Sequence, residues 1–140
     1  MTRPSNVSFR WPVRVYYEDT DSGGVVYYAN YLRFMERARS EWLRAIGRDV
    51  ERLARDEGLL FAVRSVRVDF RAPARLSDML AVTVEPASIG RASVNLSQRV
   101  LREDVLVCAA EVRLACLATD DFHPRPMPEP LRTELLQWTM

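Results

Sequence analysis

The sequence is poor in the residue types on which many enzyme mechanisms depend. Among 140 residues there is one histidine, His123, and there are two cysteines, Cys108 and Cys116. His123 precedes a proline in a proline-rich stretch, a setting typical of turns. A histidine dyad or triad is therefore poorly supported. Two cysteines and one distant histidine also lack the spacing of zinc ligands, so we expect no metal site.

The two cysteines, Cys108 and Cys116, lie in a single apolar segment. If that segment is a strand, they are about 26 Å apart along it. A disulfide needs Cα atoms within about 7 Å of each other, so we predict buried free thiols. Free thiols are usual in the cytoplasm, which is the location that we expect.

Several protein classes are excluded by what else is missing. Twenty basic and nineteen acidic residues leave a net charge of +1, which argues against a broad nucleic-acid surface. No run approaches the roughly 18 apolar residues of a transmembrane segment, and the N-terminus lacks an apolar signal core. Gly23 and Gly24 form a pair, not the spaced glycines of a phosphate-binding loop.

The strongest periodic pattern is helical and extends from Tyr31 to Ile46, where apolar residues recur every three or four positions. Asn30 is the predicted N-cap, and Gly47 is a residue that suits a helix C-terminus. A second, shorter helix is predicted from about Val50 to Glu57, ended by Gly58.

The remaining chain has the period of two that is typical of strands. One strand is predicted over Val13 to Tyr17, and four more follow the helices around the alternating segments 66–71, 80–85, 94–99 and 111–116. Their short connections favour antiparallel neighbours. Residues 122–140 form a proline-rich tail in which Pro130 to Trp138 is a candidate closing helix.

This order of elements predicts an α+β fold and a single domain over residues 1–140. We expect a five-stranded antiparallel sheet that wraps around one long central helix. Such a sheet leaves edge strands, which a dimer can pair across.

The polar segment Tyr17-Glu-Asp-Thr-Asp-Ser-Gly-Gly24 lies immediately ahead of the long helix. A helix N-terminus offers unpaired N–H groups that can stabilise an oxyanion. A carboxylate of Asp19 or Asp21 could then attack a carbonyl or activate water, and Gly24 allows the backbone to approach a substrate. Aspartates beside glycine are more often simple turn residues, so the residues alone favour a structural role.

A wider resemblance changes that balance. The segment from Phe9 to Tyr31, followed by Glu36-Arg-Ala-Arg-Ser-Glu-Trp42 and Ala72-Pro-Ala-Arg-Leu-Ser-Asp-Met-Leu80, resembles the Tol-Pal-associated acyl-CoA thioesterases of the 4-hydroxybenzoyl-CoA thioesterase superfamily. The resemblance implies a hotdog fold, dimers commonly paired into tetramers, and sites at subunit interfaces. It implies an acyl-CoA thioester as the substrate, with no further cofactor, and a functional association with the Tol-Pal system of the cell envelope.

The resemblance also implies the site residues. The catalytic carboxylate falls on Asp21, as nucleophile or general base, and the backbone N–H that polarises the thioester carbonyl falls on Tyr28. The CoA nucleotide falls on Arg91 and Ser93, where the match is looser.

One departure concerns Tyr28, because the family usually has histidine there. An aromatic wall at this position could select an aryl-acyl group or be ordinary packing. The change keeps open an alternative: a non-catalytic hotdog protein that binds an acyl chain or a protein partner. A hotdog dehydratase is less favoured, since that chemistry generally uses a histidine near the helix.

Overall fold

A computed structural model describes residues 8–139. The order of elements confirms the predicted α+β class. The strands are β1 (Phe9–Arg14), β2 (Leu59–Phe70), β3 (Met79–Ile89), β4 (Ser93–Arg102) and β5 (Val105–Ala118); the α-helices are α1 (Tyr28–Ala45), α2 (Val50–Glu57) and α3 (Glu129–Leu136). A short 3-10 turn, Tyr17–Asp19, follows β1.

The five strands form one antiparallel sheet with the spatial order β1-β3-β4-β5-β2. The prediction that consecutive strands are neighbours is wrong for β2 and β3. Their connection, residues 71–78, crosses the end of the sheet and leaves β2 at one edge. The loop can do so because both of its ends are anchored: the Arg71 N–H donates to Val107 O, and Asp78 O accepts from the Val15 N–H.

Helix α1 packs its apolar face against the sheet, as predicted. Phe34, Met35 and Ala38 have no exposed surface, and Trp42 is buried beside them. They meet inward-facing strand residues such as Val82, also fully buried. Full burial of side chains of this size contributes about 1.5–3 kcal/mol each, so the helix–sheet contact stabilises the fold.

Two predicted boundaries near the site are wrong. Helix α1 begins at Tyr28 rather than after Asn30, because the Asn30 amide bonds Asp19 from within the helix instead of capping it. The first strand ends at Arg14, because the Asp19 carboxylate accepts the Tyr16 N–H and closes a turn. Helix α2 and its end at Gly58, which has φ of 64°, are confirmed.

Later elements agree with the predictions in type. Strand β2 begins at Leu59, well before the alternating residues, and a bulge between Val63 and Ser65 interrupts its period. Cys108 and Cys116 both lie on β5 as buried free thiols, as predicted. No helix within residues 8–139 has the length and apolar character needed to cross a bilayer.

Candidate active site

Asp21 lies at the tip of a tight paired segment between the 3-10 turn and α1. Thr20 and Val26 form an antiparallel bridge, and the Asp21 N–H donates to Val25 O at 2.9 Å. The chain reverses where the Gly24 N–H donates to Asp21 O at 3.1 Å. Gly24 has φ of 80°, a left-handed conformation that glycine adopts without a steric penalty. Gly24 therefore sets the shape of the turn that carries Asp21.

The Asp21 carboxylate is exposed. Its Oδ1 accepts a hydrogen bond from the Gly23 N–H at 2.8 Å, which fixes one oxygen and leaves the other open. A Cβ on residue 23 would lie 3.3 Å from that Oδ1, tighter than an ordinary contact. Gly23 thus provides the N–H that binds the carboxylate and, because it lacks a Cβ, avoids a close contact with it.

Asp19 has the opposite environment, since it is buried. Its Oδ2 accepts the Tyr16 N–H at 2.8 Å and its Oδ1 accepts the Asn30 amide at 3.2 Å. Its backbone oxygen accepts the Tyr27 N–H at 2.9 Å. Both carboxylate oxygens of Asp19 are therefore engaged in holding the turn to the start of α1.

The start of α1 presents backbone donors close to the Asp21 turn. Tyr27 is the N-cap and provides no side-chain cap. Its carbonyl accepts the Asn30 N–H at 2.8 Å, whereas the N–H groups of Tyr28 and Ala29 have no acceptor within the described part of the chain. Such groups carry the partial positive charge of a helix N-terminus and can bind a developing oxyanion.

Aromatic side chains surround the helix start. The Tyr28 side chain is 62% exposed and meets Phe70 edge-on, with 6.1 Å between the ring centroids. Phe70 is itself half exposed, and buried Tyr31 lies behind it at 5.9 Å. The helix N-terminus therefore opens onto an apolar wall.

Tyr31 also connects the parts of the site. Its hydroxyl accepts the Ala74 N–H at 3.1 Å, and Ala74 O accepts the Val26 N–H at 2.8 Å. These bonds join α1, the loop 71–78 and the Asp21 segment. Burial raises the pKa of the Tyr31 phenol, so it stays neutral and remains a hydrogen-bonding group at physiological pH.

Beyond this wall, two cavities lie along α1, where the helix incompletely covers β2. A cavity of about 180 Å³ is lined by Leu32, Arg33, Glu36, Arg39, Val63, Val66 and Val112. A second cavity, of about 330 Å³, is lined by Glu36, Arg39, Ser40, Leu43, Val50, Leu53, Leu59, Leu60, Phe61, Val63 and Leu114. The two share Glu36, Arg39 and Val63, so they are consecutive parts of one groove.

Sequence reasoning missed a polar contact at the junction of these cavities. Arg39 Nη1 donates to Gln98 Oε1 at 3.0 Å, although the two residues are distant in the chain. Gln98 has no exposed surface. The available signal was a glutamine at an inward position of a strand whose other inward residues, Val94 and Leu96, are apolar.

Arg91 and Ser93 are not brought near Asp21 within one protomer. Arg91 lies in the β3–β4 turn and Ser93 is the first residue of β4, where its carbonyl accepts the Gly90 N–H. The Asp21 segment adjoins the opposite end of β3, next to Asp78 and Ala74. Because β3 has 11 residues, the two ends of the sheet are about 35 Å apart.

No group of three or more histidine, cysteine, aspartate or glutamate side chains within residues 8–139 is arranged to hold a metal ion. His123 is exposed and lies 3.7 Å from the Asp121 carboxylate, in the tail after β5.

Known proteins resemble this chain closely. The family described as "Thioesterase superfamily" matches residues 23–109. The acyl-CoA thioester hydrolase YbgC of Escherichia coli is 45% identical over 130 residues, which cover 92% of this chain and 96% of that protein. The acyl-CoA thioesterase YbgC of Haemophilus influenzae is 39% identical, with 89% and 91% covered.

Among solved structures, the "Probable Thioesterase from Bartonella henselae" superposes with a TM-score of 0.84 at 34% identity, covering 87% of this chain and 100% of that one. The chain belongs to the thioesterase superfamily. It is a thioesterase of the α+β hotdog fold, with one long helix against a five-stranded antiparallel sheet.

Proposed function

We propose that this protein hydrolyses the thioester of an acyl-CoA to the free acid and CoA. The observation that carries the proposal is the exposed Asp21 carboxylate beside the open N–H groups at the start of α1. Names of relatives with up to 45% identity point to the same substrate class.

In the proposed reaction, the thioester carbonyl accepts a hydrogen bond from the Tyr28 N–H. That bond strengthens as the carbonyl oxygen gains negative charge. Asp21 either attacks the carbonyl carbon, which expels the CoA thiolate and leaves a mixed anhydride for water to open, or removes a proton from an attacking water. In both routes the carbon–sulfur bond breaks and a carbon–oxygen bond forms.

Asp21 is the better candidate of the two aspartates because only its carboxylate has an oxygen free. The Gly23 N–H holds Oδ1 without covering the other oxygen. Asp19 would have to give up bonds to Tyr16 or Asn30 before it could react.

The direct test is Asp21→Asn, assayed against short, long and aromatic acyl-CoAs. We expect kcat to fall by about 10²–10⁴-fold while the circular dichroism spectrum and melting temperature stay unchanged. Glu18→Gln is the matched control, since it removes an exposed carboxylate three residues away and should retain full activity. A folded Asp21→Asn protein with wild-type turnover would refute the assignment. A wild-type protein that binds acyl-CoAs without turning them over would favour the non-catalytic acyl-binding alternative.

We further propose that the protein acts as a homodimer through β2. This strand has 12 residues, and its outer edge pairs with no strand in residues 8–139. Val63, Val66 and Phe70 face the helix side of the sheet yet stay 38–50% exposed. A two-fold antiparallel pairing of two β2 edges would cover these side chains.

Such a dimer would bring Arg91 and Ser93 of one subunit toward the Asp21 site of the other. Antiparallel pairing places the Phe70 end of one β2 beside the Leu59 end of the other. Strand register puts Ser93 at the same end of the sheet as Leu59. The proposal is therefore that Asp21 and Tyr28 act with Arg91 and Ser93 of the partner subunit on one CoA molecule.

Other parts of the proposal come from the family resemblance. They are a dimer of dimers, a reaction that needs no cofactor beyond its CoA substrate, a cytoplasmic location and a functional association with the Tol-Pal system. Cell fractionation and affinity purification of the tagged full-length protein, with Tol-Pal components probed in the eluate, test the last two.

A further inference from the structure

Arg39 is a cation held in place inside the fold. The Gln98 Nε2 donates to Met35 O and to Thr83 O, both at 3.2 Å. Since both amide hydrogens are used, the Gln98 oxygen is turned toward Arg39 and accepts from its Nη1. A fully buried amide with every polar atom engaged gives the guanidinium a fixed anchor.

The guanidinium makes no direct ion pair within the described part of the chain. Within residues 8–139, no carboxylate oxygen lies within 4.0 Å of an Arg39 nitrogen. Burial lowers the pKa of Arg39, and the charge of Glu36, one turn earlier in α1, acts in the opposite direction. A guanidinium has five N–H donors, and the structure gives an acceptor for one of them.

Arg39 lines both cavities of the groove beside α1. Apart from Arg39, Glu36 and Ser40, the cavity of about 330 Å³ has aliphatic and aromatic walls. A half-buried cation in such surroundings loses hydration that an apolar ligand cannot replace. An oxygen acceptor on a ligand can take the place of the lost water by accepting a hydrogen bond from the guanidinium.

The position along the helix links this cation to the reaction centre. Arg39 follows Tyr28 by eleven residues, which is about 16 Å of helix rise, and long helical side chains lean back toward the N-terminus. An acyl group whose carbonyl binds the Tyr28 N–H and whose chain runs past Leu32 and Val66 would reach Arg39 with its far end.

Building on the proposed hydrolysis, we infer that Arg39, anchored by Gln98, is a specificity-determining residue. It binds an oxygen acceptor at the distal end of the acyl group, so that acyl-CoAs with a terminal carboxylate are preferred to methyl-terminated ones of equal length. Charged hydrogen bonds of this kind are stronger than neutral ones, and an alkyl terminus would leave the guanidinium with its bond to Gln98 but no acceptor from the ligand.

The test compares pairs of acyl-CoAs of about six to twelve carbons, each pair ending in a methyl or in a carboxylate, a range set by the helix rise. In the wild type, the ratio of kcat/KM within a pair should favour the carboxylate and peak at one length. Arg39→Met should lower that ratio about tenfold or more, whereas Arg39→Lys should lower it less. Arg37→Met is the matched control, because Arg37 is exposed on the same helix and lines neither cavity.

The ratio is measured in one preparation, so partial unfolding of a variant does not change it. An unchanged ratio for Arg39→Met at every length would overturn the inference and leave the proposed hydrolysis standing. Calorimetric binding of the free diacids and monoacids to wild type and Arg39→Met separates the two ideas further. Arg39-dependent binding of the diacids, together with no turnover of any acyl-CoA, would support this site and refute the hydrolysis. Equal binding of the diacids by both proteins would overturn this site.

Discussion

The residues Asp19 and Asp21 differ in surroundings more than their two-residue separation suggests. The Asp19 carboxylate accepts hydrogen bonds from a backbone N–H and from the Asn30 amide. The Asp21 carboxylate accepts one local N–H at the exposed tip of its turn. Buried hydrogen-bonded carboxylates stabilise a fold, and exposed ones are available for chemistry. Replacement of Asp19 should therefore lower stability, whereas replacement of Asp21 should lower activity.

We predict that Asp19→Asn lowers the free energy of unfolding by about 1–3 kcal/mol, because a buried donor then faces a donor. Urea denaturation followed by circular dichroism measures the change. Glu18→Gln, at an exposed neighbouring position, should stay within about 0.5 kcal/mol of the wild type. Equal stability of the two variants would mean that the Asp19 bonds contribute nothing to the fold.

At this scale the sequence predicts Asp21 only through the family resemblance. The pattern Asp-Thr-Asp cannot distinguish the two carboxylates, because the distinction depends on where Tyr16 and Asn30 lie in space. The Arg39–Gln98 bond joins residues 59 positions apart, and neither residue type indicates which residue it will contact. Local sequence patterns do not predict such long-range contacts.

Among the elements, periodicity predicts the long helix and the sheet well and their ends less well. Helix α1 starts three residues before the predicted Tyr31, because the Asp19 contacts hold its first turn. Strand β2 is longer than predicted because Leu59 to Val63 is an apolar run without alternation, and the bulge between Val63 and Ser65 separates it from the alternating residues. Glycine at a helix end is the local signal that places a boundary correctly, as Gly58 does.

Gly58 supports a prediction about the α2–β2 junction. Its φ of 64° lies in the left-handed region, and an added Cβ would meet only ordinary contacts at 3.6 Å and beyond. Gly58→Ala should therefore cost about 1–2 kcal/mol from backbone conformation alone. Gly58→Asn should cost less, since asparagine tolerates this conformation. Thermal and urea unfolding give the order, and an alanine variant as stable as the asparagine variant would contradict the explanation.

For the molecule as a whole, the buried thiols should make stability fall as the pH becomes alkaline. Burial raises the pKa of Cys108 to about 12 and raises that of Cys116. Above about pH 9 the unfolded thiols lose protons that the folded ones keep, so unfolding becomes easier as pH rises.

We predict that the free energy of unfolding falls by up to about 1.4 kcal/mol per pH unit above pH 9 through Cys108 alone. Urea unfolding between about pH 8 and pH 10.5 measures the slope. Cys108→Ala, although less stable at neutral pH, should have a shallower slope. The same slope in both proteins would show that the Cys108 thiol ionises as readily in the folded state as in the unfolded one.

The proposed dimer predicts complementation between two impaired variants. Asp21→Asn leaves every site without its carboxylate, and Arg91→Ala weakens every site in its contact with CoA. If Asp21 acts with Arg91 of the partner subunit, a mixed dimer contains one site with both native residues and one with neither. Refolding the two variants together in equal amounts should then restore about a quarter of the wild-type sites, measured as kcat/KM at low acyl-CoA concentration.

If both residues served a site from the same chain, no mixed dimer would contain a complete site, and activity would stay at the average of the two variants. A mixture refolded separately and combined just before the assay controls for subunit exchange. Analytical ultracentrifugation of the same samples must show dimers or larger assemblies, and a monomeric wild type would refute the arrangement independently of activity. The exposed edge of β2 thus connects the fold to catalysis, since the pairing that covers it would also complete the site.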